Sequence, residues 1–150
     1  MKVETKITIN ATARQVWEIF TDDTLLSQWL QGFKSIKTIS GEPLQQGSKH
    51  QMTFTEGNKE MVFIETVTKC VYGKEYAFNL SHENLVSQNA VLLTEHNGKT
   101  ELCQKTHMKP HKFIVKLILP FMKRAIRKRN CGNLERLKTL VENQRNPINS

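Results

Sequence analysis

The sequence predicts an α+β domain in which a curved, seven-stranded antiparallel sheet wraps a long C-terminal helix, with two short helices after the first strand. Three observations lead there. The N-terminus alternates like a strand, the middle of the chain is a series of β-rich runs cut by turn signals, and the last third returns to helical period.

In the opening KVETKITIN, Val3, Thr5, Ile7 and Ile9 alternate with Lys2, Glu4, Lys6 and Thr8, the period of a half-buried strand. TARQ follows, a capping box in which Thr12 accepts from the Gln15 amide while Gln15 reaches back, so a helix begins there. Val16, Trp17, Ile19 and Phe20 continue it at helical spacing. Asp22 and Asp23 then cap a second short helix carrying Leu25, Leu26, Trp29 and Leu30. From Phe33 to about Met108 the turn signals SGEP, QQGS, EGNK, YGK and HNGK divide the chain into six strands. Asn97-Gly98 is the sharpest of them, since a two-residue turn needs positive φ at both central positions. The connections are too short for crossovers, so the strands pair antiparallel. Met61, Val62, Phe63 and Ile64 are apolar in succession, which leaves open whether Glu65 or Thr66 points inward.

From about His111 to Asn143 one helical line collects Val115, Leu119, Met122, Ile126, Asn130, Asn133, Leu137 and Leu140, with Val141 just outside it. A helix of roughly 33 residues extends about 50 Å, enough to cross a whole sheet. Ile114, Leu117, Ile118 and Phe121 lie off the line, making the first half apolar all round. Pro120 removes one helical hydrogen bond and is expected to kink or break the helix. Gly132 weakens it by about 1 kcal/mol relative to Ala.

With 150 residues, 38% hydrophobic and 24% charged, the chain has the composition of one ordinary globular domain, expected over residues 1–145 with 146–150 as a tail. MKVETKITIN lacks the apolar core of a signal peptide, and no run approaches the roughly 20 apolar residues that span a bilayer. Cys70, Cys103 and Cys131 are odd in number, widely spaced and without a CxxC pair, the pattern of reduced thiols in a cytoplasm. The net charge of +8 is local: nine Lys and Arg against the single acid Glu135 lie between Lys112 and Lys138, and elsewhere 13 basic and 13 acidic residues cancel. Nucleic acid is not the expected partner, because Phe113 and Phe121 are the only aromatics interleaved with that charge.

A strand, two short helices, six antiparallel strands and a long helix pack economically as a curved sheet gripping that helix. In this order the chain resembles the START-like helix-grip (SRPBCC) superfamily, especially its polyketide cyclase/dehydrase and lipid-transport branch. The resemblance covers nearly the whole chain and is carried by ITINATARQVWEIFTDDTLLSQW, HNGKTELCQKT and NLERLKTLVEN. These are signatures of fold, not of catalysis. The resemblance implies a cavity between sheet and long helix that holds a lipid, a polyketide or another hydrophobic small molecule, without a cofactor. The helical line agrees, being apolar except for Asn130 and Asn133, as the wall of a mostly apolar pocket would be.

The ligand-contact residues expected on this reading are Trp29, Phe54, Phe63, Val115, Leu119, Met122, Ile126, Asn130 and Asn133. The run KRAIRKR is first a solubilising face. Beside an apolar, Pro-containing helix start it also suits an anionic membrane surface, contacted by Lys123, Arg124, Arg127 and Lys128. For an enzyme of the cyclase or dehydratase type, the eligible acid or base groups are Glu65, His50, His82 and His107. No two of them are paired by spacing, and no catalytic residue is assigned. HExxH is absent and the histidines are scattered, so no metal site is expected. A module that activates chaperones, also built on this fold, is a third reading, and the chain is expected to be a monomer or weak dimer.

Overall fold

The structure, a computed structural model, describes residues 1–83 and 85–145. Its elements are β1 (Lys2–Ile9), α1 (Ala13–Phe20), a 3-10 turn (Asp23–Leu25), α2 (Leu26–Trp29), β2 (Phe33–Ser40), β3 (Lys49–Glu56), β4 (Lys59–Val71), β5 (Glu75–His82), β6 (Leu85–His96), β7 (Lys99–Pro110) and α3 (Phe113–Arg145). The strands form one curved antiparallel sheet in the order β1-β7-β6-β5-β4-β3-β2. The tail expected at 146–150 lies outside the described residues.

Local chemistry explains the boundaries. Both halves of the Thr12–Gln15 capping box are made, at 3.2 and 2.9 Å. Asp22, rather than Asp23, caps the 3-10 turn by accepting from the Thr24 N–H at 2.9 Å. Asn97 and Gly98 turn the β6–β7 hairpin with φ of 54° and 75°. The six central strands number as expected, but two breaks fall elsewhere. SGEP and QQGS belong to one connection between β2 and β3, and the turn after His82 has neither Gly nor Pro: Glu83 itself takes the positive φ, 37°. Pro120 does not break α3, which runs continuously past it. The Lys116 carbonyl simply loses its usual donor four residues on.

Directly opposed residues in a ladder share a face, so the register fixes what points at α3. In β1 these are Val3, Thr5, Ile7 and Ile9, which meet Thr106, Gln104, Leu102 and Thr100 of β7. The main core lies beneath α1, α2 and the second half of α3, where Val16, Trp17, Phe20, Leu26 and Trp29 pack with Leu134, Leu137 and Val141 against Ile9, Val91 and Leu102.

The two halves of α3 differ. Beyond residue 128 the helix is tied to the chain's first third: Arg129 Nη2 donates to the Gln31 carbonyl (2.9 Å), Arg136 Nε to the Trp29 carbonyl (3.1 Å) and Lys138 Nζ to the Thr8 carbonyl (2.8 Å). Asn133 Oδ1 accepts from the Gln31 N–H at 3.0 Å. Between Phe113 and Lys128 only Leu119 is buried, and Phe113, Ile114, Leu117, Ile118 and Phe121 are exposed. The close neighbours of α3 are β1, α1, α2 and β7.

Gly32, where α2 hands over to β2, holds this arrangement together. Its φ is 77°, its carbonyl accepts from the Thr55 N–H at 2.8 Å, and a Cβ there would sit 2.5 Å from the Thr55 carbonyl oxygen. Gly32→Ala should therefore lower unfolding free energy by about 2 kcal/mol or more. Chemical denaturation measures this, and a change under about 0.5 kcal/mol would show that the β2–β3 seam tolerates a side chain.

Candidate functional site

The side of the sheet away from β1 presents its inner face without close cover from α3. Phe33, Phe54, Phe63 and His82 form a row across β2, β3, β4 and β5, with ring centres 5.8, 5.7 and 4.9 Å apart in turn. Met52 stands opposite Phe63, and Leu80 and Phe78 continue the apolar surface along β5. Phe33, Phe54, Phe63, Phe78 and Leu80 all remain only partly buried. α3 starts just after Pro110, which pairs with Leu85 beside His82, so its first half begins at the aromatic end of this surface.

Toward the other end the surface becomes polar. His50 of β3 and Glu65 of β4 are direct cross-strand partners, both inward and both nearly inaccessible, at 3% and 6% exposure. This settles the inward parity of β4. The His50 ring lies 3.3 Å from Thr38 Oγ1 through Nδ1 and 3.4 Å from Ser48 Oγ through Nε2. Tyr76 donates its hydroxyl to Glu65 Oε1 at 3.1 Å. A register shift between Val67 and Lys69 keeps a lysine out of this meeting: beyond it Cys70 opposes Tyr76 and Lys69 opposes Ala77. An unbroken ladder would set Lys69 opposite Tyr76 and point its ammonium inward.

Burial pushes the Glu65 carboxyl from 4.5 to about 7; the Tyr76 hydrogen bond opposes this, and the nearby Asp23 carboxylate adds to it. Asp23 is itself raised, chiefly by desolvation, against the pull of His50. Tyr76 is driven far above its ordinary range by burial and by Glu65, so it stays a donor. The result is a buried acid that shares its proton with solvent near neutrality. Beside Phe20, whose ring packs on both Trp29 and Tyr76, the buried Trp29 indole Nε1 has no hydrogen-bond partner among the described residues. Such an orphan is costly unless something supplies an acceptor. By contrast Thr106, Asn89 and Ser87, on the β6–β7 part of the inner face, satisfy one another at 2.9 and 3.0 Å. Among the described residues no group of three or more His, Cys, Asp or Glu side chains is placed to hold a metal ion.

The expected ligand-contact residues separate into groups. Trp29 and Leu119 are buried, and Phe54, Phe63, Val115, Ile126 and Asn130 are partly buried. Met122 is 40% exposed. Asn133 uses its oxygen on the Gln31 N–H and on Arg136, so it ties helix to loop. Lys123, Arg124, Arg127 and Lys128 are all exposed. Of the eligible acids and bases, His50, Glu65 and His82 face inward, whereas His107 lies opposite exposed Lys2 on the outer face. Sequence reasoning missed Tyr76, Asp23 and the partnerless indole. Two open grooves occur elsewhere: one of about 440 Å³ between α2 and α3, beside Gln28, Gly132 and Arg136, and one of about 490 Å³ near Val62, His82 and His111. Neither is the enclosed cavity expected between sheet and helix.

A sheet gripping a long helix above a half-open inner face defines a START-like helix-grip protein. The chain belongs to the polyketide cyclase/dehydrase and lipid-transport family, whose model matches residues 1–142. No curated protein sequence matches it. Similar solved structures include the Zhui aromatase/cyclase of Streptomyces sp. R1128, with TM-score 0.78 and 11% identity over 96% of this chain and 94% of that one. A conserved protein of Geobacillus kaustophilus gives 0.77 and 14% over 95% of each chain. A Chromobacterium violaceum protein gives 0.75 and 18% over 95% of this chain and 98% of the other. At such identities the likeness is one of fold.

The raised Glu65 makes stability depend on pH. Its proton is held more tightly in the folded than in the unfolded chain, so its contribution falls as pH rises from about 4.5 to about 7 and is level above that. Glu65→Gln removes this loss. The unfolding free energy of the variant minus that of wild type should therefore rise by about 2.5 kcal/mol between pH 5 and pH 8. An equal difference at both pH values in denaturant titrations would mean that Glu65 titrates normally.

Proposed function

We propose that this protein binds an apolar small molecule, polyketide-like or lipid-like, on the inner face of β2–β5 beneath the first half of α3. The apolar body lies on Phe54, Phe63, Leu80 and Phe78, with Val115 and Leu119 of α3 above it. A polar group of the ligand reaches the Glu65–Tyr76 pair and His50, and an acceptor on it satisfies the Trp29 N–H. The observation that carries this reading is that, among the described residues, the hydrogen bonds holding α3 to the first third of the chain come from its second half while Leu119 alone is buried in its first half, so that an aromatic surface ending in a buried acid stays partly open. Apolar area with a few convergent polar groups is what small-molecule sites are made of.

The neutral fluorescent probe N-phenyl-1-naphthylamine tests it. Phe54→Ala and Phe63→Ala should each weaken probe binding about tenfold, while Phe121→Ser, on the outward face of α3, leaves it unchanged. Wild-type affinity in both alanine variants would remove the site from this face.

A cyclase- or dehydratase-like reaction is the second reading, favoured by the Glu65–Tyr76 contact. A carboxyl still partly protonated at neutral pH would donate its proton to the departing hydroxyl as the C–O bond breaks; the carboxylate left behind, steadied by the Tyr76 hydrogen bond, would take the proton of the neighbouring α-carbon, whose C–H electron pair becomes the new double bond, so that the acid is restored. Loss of water from a β-hydroxy ketone, followed by mass spectrometry, separates the two. Turnover that vanishes in Glu65→Gln while probe affinity persists identifies an enzyme, and no turnover by wild type leaves a binding protein.

A further inference from the structure

We propose that the outward face of the first half of α3 is a docking surface for an anionic lipid membrane. Five large apolar side chains stand in water within nine residues: Phe113 at 74% exposure, Ile114 at 64%, Leu117 at 57%, Ile118 at 48% and Phe121 at 85%. At 100° per residue they fall on one side of the helix, opposite Leu119, which is buried. They form a ridge along an exposed rod, continuous with the end of the sheet where α3 begins. Isolated exposed hydrophobics are ordinary, but a contiguous set marks a surface that something covers.

Charge says what covers it. From Lys112 to Leu134 the chain carries seven Lys or Arg and no acid. Arg124 and Lys128 continue the ridge one turn further along the same side, Lys112 and Lys116 flank its start, and Lys123, Arg124, Arg127 and Lys128 are exposed. Lys112 and Lys116 also sit at the positive end of the helix dipole, where acids would be the stabilising choice. A helix start that breaks this rule adds cationic potential at the place where the apolar side chains protrude. Nucleic acid would answer the charge but offers no slot for Ile114, Leu117 and Ile118. A lipid surface answers both, since apolar side chains enter the acyl boundary while Lys and Arg remain among anionic headgroups. No helix among the described residues is long and apolar enough to cross a membrane, so the contact is peripheral.

Co-sedimentation of the full chain with vesicles of phosphatidylcholine alone, or with phosphatidylglycerol added, tests the proposal. Binding should require phosphatidylglycerol and weaken steeply with salt. The triple variant Arg124→Gln, Arg127→Gln, Lys128→Gln should lose on the order of a hundredfold in partitioning. The double variant Phe113→Ser, Phe121→Ser should lose about tenfold or more. All five positions are exposed, so both variants fold, and both should keep probe affinity on the inner face, which separates this surface from the ligand site. Three results would overturn the proposal: equal binding to neutral and anionic vesicles, unchanged binding by the double serine variant, or a wild-type dimer that Phe121→Ser dissociates and that ignores vesicles. The last would make a second copy of the chain the occupant.

Discussion

The fastening of α3 at one end is the constraint on which the rest depends. Leu134, Leu137 and Val141 are buried to 2% exposure or less, and each contributes roughly 1.5–3 kcal/mol by leaving water. The hydrogen bonds from Arg129, Arg136 and Lys138 to main-chain carbonyls are partly solvated and contribute about 1 kcal/mol or less each. Apolar burial therefore holds the helix down. The hydrogen bonds set which turn of α3 meets which loop, because their acceptors lie at Thr8, Trp29 and Gln31. A rod held this way leaves its other half free of strong anchorage, and with it the inner face of β2–β5.

The register shift in β4 bears on how a carboxyl comes to be buried with no Lys or Arg paired to it among the described residues. Glu65 accepts from Tyr76, whose ring packs on Trp17 and Phe20 of α1, and has Asp23 of the 3-10 turn as an unfavourable neighbour. The bulge in β4 turns Lys69 outward, where it pairs with Glu75 at 2.7 Å. The ammonium that could neutralise the site is thereby kept at the surface. A group held in this state costs stability above neutrality, which is the usual mark of a position kept for binding or proton transfer rather than for packing.

Much of the fold was legible because its signals are local. The Thr12–Gln15 cap, the Asn97-Gly98 turn and the apolar line of α3 each follow from chemistry within a few residues. The turn after His82 was not, since it holds neither Gly nor Pro and it is Glu83, a residue type that rarely does so, that adopts positive φ. The candidate site was legible only in part. Phe54, Phe63 and Trp29 could be nominated as aromatic, and Glu65 and His50 as titratable. Their convergence, like that of Tyr76, depends on cross-strand register, and the exclusion of Lys69 depends on a bulge with no sequence mark. Asn133 shows the opposite difficulty: periodicity put it on the inner line, but its partner is the Gln31 backbone, 102 residues away in sequence. The outward ridge needed the structure as well, because a segment apolar all round does not reveal which side stays in water.

Methyl NMR of the five methionines reads the central claim directly, since they sample separate surfaces. Met52 and Met61 lie on the inner face beside Phe63 and Phe54, Met108 lies on the inner face of β7, Met122 lies on α3, and Met1 lies at the chain start. An apolar ligand held between the sheet and the first half of α3 shifts Met52 and Met61 together, with Met122 following and Met1 unmoved. Saturable binding that leaves the Met52 and Met61 methyls where they were would place the ligand elsewhere and contradict the account.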